Sequence, residues 1–292
     1  MRFAGKTSVL ALAVTLFATL PALAIQNGPP DNGNHPTVGM AYISFNSTCS
    51  PFDVTTGCGA VLISQGDSSH PAVALTTGDC AEAVQGTVDA YVAGGEQNVQ
   101  AWVGFNDSDP WACGDPDPSA HLNALRVILP VQVHPDYQPT RFGVINNHNV
   151  GVLLLETRPS VTLPTPSALP AQGSLDSLPS DSPIVSVGFS PTNFDLQQGS
   201  NGQFGRRFYH VFETARRATT TRSVATSPWS HVTQITDDQS CYGYFADDGS
   251  ANFSTSGQLL SLMREQNQCE KTEVGQRVDK ADILSFINSF LP

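Results

Sequence analysis

Beyond its first two dozen residues, the chain carries its apolar residues only in short runs. These are broken every few positions by glycine, proline, serine or threonine. That punctuation predicts a many-stranded β protein. Strands are expected over 38–45, 60–64, 72–76, 100–105, 125–133 and 150–156 in the first half. In the second half they are expected over 184–189, 204–214, 222–224 and 258–263. Prolines crowd 158–173, which suits neither a helix nor a central strand, so this stretch reads as a connector between halves. No internal repeat stands out. Near the end Asp279 precedes an Ile283, Leu284, Ile287, Phe290, Leu291 stripe, the face of an amphipathic helix that Asp279 is expected to cap.

Residues 1–24 read as a secretory signal: Arg2 and Lys6, an apolar stretch from Ser8 to Leu20, and the small-residue site Ala22-Leu23-Ala24. The mature chain of 268 residues then begins at Ile25. The expected location is outside the cytoplasm, either extracellular or periplasmic. Removing Arg2 and Lys6 from the 14 basic residues leaves twelve against 26 acidic ones, and moves the formal charge from -12 to -14. So acidic a chain is a poor ligand for nucleic acid or an anionic membrane. Six cysteines, an even count in an exported chain, favour disulfides over metal ligation and leave fifteen possible connectivities.

Three segments carry the chemistry. Leu75-Thr76-Thr77-Gly78-Asp79-Cys80 resembles the L-T-A-A-H-C of trypsin-like serine peptidases, with Asp79 at the histidine. Asn149-Val150-Gly151-Val152-Leu153 resembles D-I-A-V-L, with Asn149 at the aspartate. Ala246-Asp247-Asp248-Gly249-Ser250-Ala251 resembles G-D-S-G-G-P, with Asp248 at the serine. The context is similar too. Cys58-Gly59-Ala60-Val61-Leu62-Ile63-Ser64 resembles C-G-G-x-L-I-S, His134-Pro135-Asp136-Tyr137 resembles H-P-x-Y, and Ile184 to Phe189 resembles the V-x-G-Y/W strand. The resemblance spans nearly all of the mature chain. It implies an all-β fold of two Greek-key barrels with a C-terminal α-helix and a cleft between the barrels. The first barrel would cover about 25–157, the connector 158–173, and the second barrel with its helix 174–292. The implied disulfides are Cys58–Cys80, Cys241–Cys269 and Cys49–Cys113.

The same resemblance makes Ile25-Gln26-Asn27-Gly28 similar to the I-V-G-G that opens an activated peptidase, and retains the aspartate before the nucleophile as Asp247. Signal cleavage after Ala24 would free an Ile25 amine to pair with Asp247. The catalytic apparatus is otherwise degenerate. Serine hydrolysis needs a hydroxyl, an imidazole and an orienting carboxylate, and Asp248, Asp79 and Asn149 provide none of the three in its place. Ala246 replaces the oxyanion-hole glycine, and Tyr244 and Phe245 lengthen the loop after Cys241. Met263-Arg264-Glu265 replaces the substrate strand S-W-G, with Glu265 obstructing the pocket whose base falls near Gln239 and Asp238. His70, the nearest histidine to Cys80, is expected on an inserted surface turn around 66–70.

The expected function is that of an inactive peptidase homologue, a monomer that binds a protein or peptide partner. The alternative is an active endopeptidase or other hydrolase with a displaced site. No cofactor is implied, and no metal site is assigned, since Asp79, Asn149 and Asp248 offer only three oxygen ligands. Asn46, Asn106 and Asn252 fit the N-glycosylation pattern.

Overall fold

A computed structural model describes residue 25 and residues 28–44, 58–110, 123–139, 147–198, 207–238, 240–241, 247–264 and 271–292. Cys49, Cys113, Cys269, Asn46, Gln239, Glu265 and the Tyr244 to Ala246 stretch lie outside these residues. So do the pairings and pocket features expected of them.

Six strands close the first barrel in the order β1-β2-β3-β7-β6-β4, all antiparallel. They are β1 (Val38–Ser44), β2 (Cys58–Ser64), β3 (Ala72–Thr76), β4 (Gln100–Gly104), β6 (Ala124–Val133) and β7 (Gly151–Leu155). Residues 158–173 carry neither helix nor strand. The second sheet comprises β8 (Pro183–Gln198), β9 (Arg207–Thr226), β10 (Ser230–Ile235), β11 (Ala251–Ser254), β12 (Leu259–Leu262) and β13 (Thr272–Arg277). Pairing of β10 with both β13 and β9 closes it into a second six-stranded barrel. The first half also contributes to this barrel: β5 (Ser108–Pro110) pairs along β9, and Pro30 bridges Arg217.

Two large clusters dominate the apolar core of the described residues. Ala41, Ile43, Leu62, Val103, Leu125 and Leu153 fill the first barrel. A second cluster lies between the barrels, where Val61, Leu75 and Val152 meet Val187, Phe253 and Leu262. The interior of the second barrel is polar instead. Ser186, Thr221, Ser223, His231, Thr233, Asn252, Ser261 and Glu273 are all buried there, at 1% exposure or less. Asn252 therefore cannot present its amide to a glycosyl donor in the folded protein.

Two α-helices are described. The first, α1 (Gly78–Ala93), follows β3 without a loop and was not foreseen. It is capped by Thr77, whose Oγ1 accepts from the Cys80 amide at 3.3 Å, and it buries Ala81, Val84 and Val88. The second, α2 (Ala281–Asn288), buries Ile283 and Ile287 against the inter-barrel cluster, as its stripe predicted. Its cap is not Asp279 as expected. Lys280 holds that position without a side-chain bond, and Asp279 instead accepts from Arg277 and from the Leu175 amide. Asp279 is drawn away because a charge-assisted bond to a buried guanidinium outweighs a single cap bond. No helix among the described residues is long and apolar enough to cross a membrane.

Candidate functional site

The site is assembled where α1 begins, where β7 begins, and where a turn of the second barrel meets the first. Disulfide Cys58–Cys80 ties β2 to the first turn of α1, which fixes Asp79 beside the barrel junction. Asn149, two residues before β7, is fully buried. Its side-chain amide clasps Asp79 twice: Asn149 Oδ1 accepts from the Asp79 amide at 2.9 Å, and Nδ2 donates to Asp79 Oδ2 at 2.7 Å. Tyr137 donates its hydroxyl to Asp79 Oδ1 at 2.8 Å and reaches Glu82 at 3.3 Å. Burial first, and then the Asp79 carboxylate, push the Tyr137 phenol well above its ordinary range, so it stays protonated and donating.

Asp248 enters from the other barrel. Its Oδ1 accepts from Thr77 Oγ1 at 2.7 Å, so the residue that caps α1 also holds the aspartate. The main chain docks as well, with the Gly59 amide donating to the Asp248 carbonyl at 2.8 Å. Gly249 follows at φ +83°, packed so close to Thr76 and Gly59 that any Cβ would collide with both. The structure therefore brings Asp79, Asn149 and Asp248 into one hydrogen-bonded neighbourhood across the barrel junction.

Asp247 is buried and accepts the Ile25 backbone N–H on Oδ2 at 2.8 Å. Gly188 makes room for this carboxylate, since a Cβ there would overlap Asp247 Oδ1. Ile25 itself is fully buried against Ile235 and Met263.

The imidazoles among the described residues are placed elsewhere. His70 sits on the exposed 66–70 turn, bonded to Asp67, as expected. His35 pairs with Asp31. His134 and His148 stack on one another near α2. His231 contacts two hydroxyls, Ser261 at 3.1 Å and Ser223 at 3.2 Å, but all three groups are sealed inside the second barrel.

Sequence reasoning missed Glu273. It is wholly buried, and its Oε1 accepts from the amide of Arg264 at 3.1 Å. Arg264 belongs to the segment assigned by resemblance to the substrate strand. Thr233 and Asn252 donate to Oε2. Burial pushes the Glu273 carboxyl up to about 7, partly offset by these donors. The clue was a glutamate in Thr272 to Arg277, a segment whose alternation could equally have been a solvent-facing edge.

No protein-family model and no curated protein matches the sequence. Solved structures do match. A Glu endopeptidase in complex with MPD is 14% identical, with a TM-score of 0.51 over 93% of this chain and 97% of that one. Human heparin binding protein is 14% identical, with a TM-score of 0.52 over 92% and 96%. HL collagenase is 14% identical, with a TM-score of 0.56 over 91% and 97%. The likeness at this identity is one of fold, and it is the two-barrel chymotrypsin-like fold.

Proposed function

We propose that this chain is an exported homologue of the trypsin-like peptidases that no longer hydrolyses peptides and acts by binding a protein or peptide partner. The observation that carries the reading is the bonding of Asp79, Asn149 and Asp248 to one another's surroundings. Asp79 is bound by Asn149 and Tyr137, and Asp248 by Thr77. A carboxylate held by donors at the nucleophile position has no hydroxyl to give and repels an attacked carbonyl oxygen. Loss of the nucleophile or base alone costs on the order of a million-fold in turnover. Glu273, clasping the backbone of Arg264, supports the same reading from the substrate side. Of the three fold neighbours named above, two are named for hydrolysing proteins and one for binding heparin. The scaffold serves either use, so the residues decide. The disulfide between Cys58 and Cys80 supports export.

The reading extends to the terminus. Ile25 has φ +24°, a strained value for a β-branched residue. That torsion exists only while Ala24 is attached. Cleavage after Ala24 would remove it and turn the N–H beside Asp247 into an ammonium.

The test uses mature protein starting at Ile25. We expect no labelling by a fluorophosphonate probe, no cleavage of a peptide library, and capture of a defined partner from the secreted fraction. Probe labelling abolished by one point mutation would overturn the reading. Peptide cleavage lost in Asp79→Ala or Asp248→Ala would establish the displaced-site hydrolase instead.

A further inference from the structure

The first barrel has a seam that its own register leaves open. Strands β4 and β6 pair antiparallel at Gly104↔Ala124, Val103↔Leu125 and Trp102↔Arg126, and the ladder stops there. Continued, it would join Ala101 to Val127, Gln100 to Ile128 and Val99 to Leu129. Those six residues, with Arg126 and Glu156, instead line a cleft of about 440 Å³. Both walls stay extended because each is paired on its other edge, β4 to β1 through Ser44↔Gln100 and β6 to β7 through Ile128↔Leu154. The Glu156 amide donates to the Arg126 carbonyl at 2.8 Å, which turns the polar groups of Arg126 toward β7. By alternation those of Val127 and Leu129 turn toward β4, where the ladder gives these residues no partner.

We propose that this seam binds the C-terminal end of an extended peptide, which adds as a strand antiparallel to β6, seats an aliphatic last side chain on the barrel core and gives its carboxylate to Arg126.

Three features carry the proposal. The first is the strand edge, whose polar groups template pairing with another chain. The second is the shape of the seam. It is closed at the Trp102↔Arg126 pair and opens toward Val99 and Leu129. A chain entering from the open end has room for about three residues before it meets Arg126, so the seam selects a terminus over a segment that runs through. The last residue then stands opposite Val127 and shares its inward face. Val127 and Ala101 belong to the core of the first barrel, and Val99 and Leu129 pack against it half-buried. That floor suits an aliphatic side chain.

The third feature is charge. Glu156 Oε2 accepts from Arg126 Nε at 2.7 Å, and both Nη groups of Arg126 have no hydrogen-bond partner among the described residues. A guanidinium anchored in this way presents its remaining donors as a fork for a carboxylate. Arg158 Nη2 stands 4.0 Å from the same Glu156 oxygen. Two guanidiniums thus share one carboxylate, and the rim is a positive island on a chain of formal charge -12. None of these residues belongs to the candidate site, and the proposal holds whether or not the chain hydrolyses peptides.

The experiment measures fluorescence anisotropy of three fluorescein-labelled pentapeptides, ending in valine, leucine or isoleucine with a free carboxylate, as mature protein is added. At least one should bind saturably with a Kd of about 10–100 μM, the range that ordinary ligand efficiency gives three seated residues. The C-terminal amide of that peptide should bind at least about tenfold more weakly, as should the free acid to Arg126→Gln. Ile128→Asp, at a rim position that is 42% exposed, should weaken binding similarly by setting a like charge beside the carboxylate. Unchanged melting of both variants establishes that they fold. In wild type, the bound peptide should slow amide exchange within 99–101 and 127–129. No saturable binding of any of the three up to about 1 mM would overturn the proposal, as would equal affinity for acid and amide. Protection confined to other segments would overturn it too. So would displacement by octanoate at the concentration at which unlabelled peptide displaces, since octanoate has the carboxylate and the apolar chain but no strand backbone.

Discussion

At Asn149 the chain needs a side chain that both donates and accepts, because Asp79 presents an amide N–H and a carboxylate together. An aspartate at 149 would keep the acceptor, lose the donor and set two carboxylates side by side. Asn149→Asp should therefore destabilise the fold by about 1–3 kcal/mol, read from urea unfolding at pH 7. Glu273 and His231 make the second residue-scale prediction. The unfolded chain releases the Glu273 proton near 4.5, while the fold holds it to about 7. This group's contribution to stability is thus greatest below 4.5 and is lost as pH rises to 7. Burial, and then the Arg277 charge, depress His231 to about 4. Its contribution is present above 6.5 and is lost as pH falls to 4. Between about 4.5 and 6.5 the two slopes oppose one another, each roughly 1.4 kcal/mol per pH unit. Relative to wild type, Glu273→Gln should lose stability on acidification from pH 6.5 to 5, and His231→Gln should gain it. Parallel pH profiles for all three proteins would contradict the burial of these groups.

At the element scale, strands of the first barrel were legible as short continuous apolar runs: Ala60, Leu62, Ala72 and Ala74 face the barrel interior while Val61, Ile63, Val73 and Leu75 face the inter-barrel cluster. Strands β10, β11 and β13 were not legible. Their inward positions are His231 and Thr233, Asn252, and Glu273, so the alternation that marks burial was written in polar residues. Helix α1 was hidden for another reason. Thr77 and the Ala81, Val84, Val88 spacing were present, but Gly78 and Gly86 argue against a helix by propensity, and tertiary packing on β6 and β7 overrides them. The Cys58–Cys80 bond holds the start of that helix to β2 across 22 residues of chain. Replacing both cysteines by alanine should cost about 2–4 kcal/mol by denaturant unfolding. The loss should also loosen Asp79, seen as faster amide exchange over 78–82.

At the scale of the whole molecule, the N-terminal segment crosses from the first barrel to the second, with Ile25 at Asp247, and Arg216 of β9 returns the contact by binding Asp31 and the Val38 carbonyl. The two barrels are thus coupled by buried polar links as well as by the apolar cluster. Protein beginning at Ile25 should be more stable than protein retaining Leu23-Ala24, by about 1–3 kcal/mol, because backbone strain at Ile25 is released. An Asp247→Asn change should shrink that difference, since the new ammonium would lose its charged partner. Equal melting temperatures for the two forms would refute the link between cleavage and ordering.

The sequence by itself determined the β architecture of the first barrel, the 158–173 stretch that is neither helix nor strand, the apolar face of the last helix, and the carboxylates at 79 and 248. Those follow from side-chain chemistry and short-range periodicity, which a linear chain displays. Only the tertiary structure decided that Asn149 clasps Asp79, that Thr77 serves both a helix cap and Asp248, and that the second barrel is lined with polar groups. It also decided that His148 meets the carboxylate of Asp282, 134 residues away in the chain. Each of these depends on which distant groups share a desolvated space, where an unpaired donor or charge is costly. That sharing is a property of the fold, and periodicity along the chain carries no trace of it.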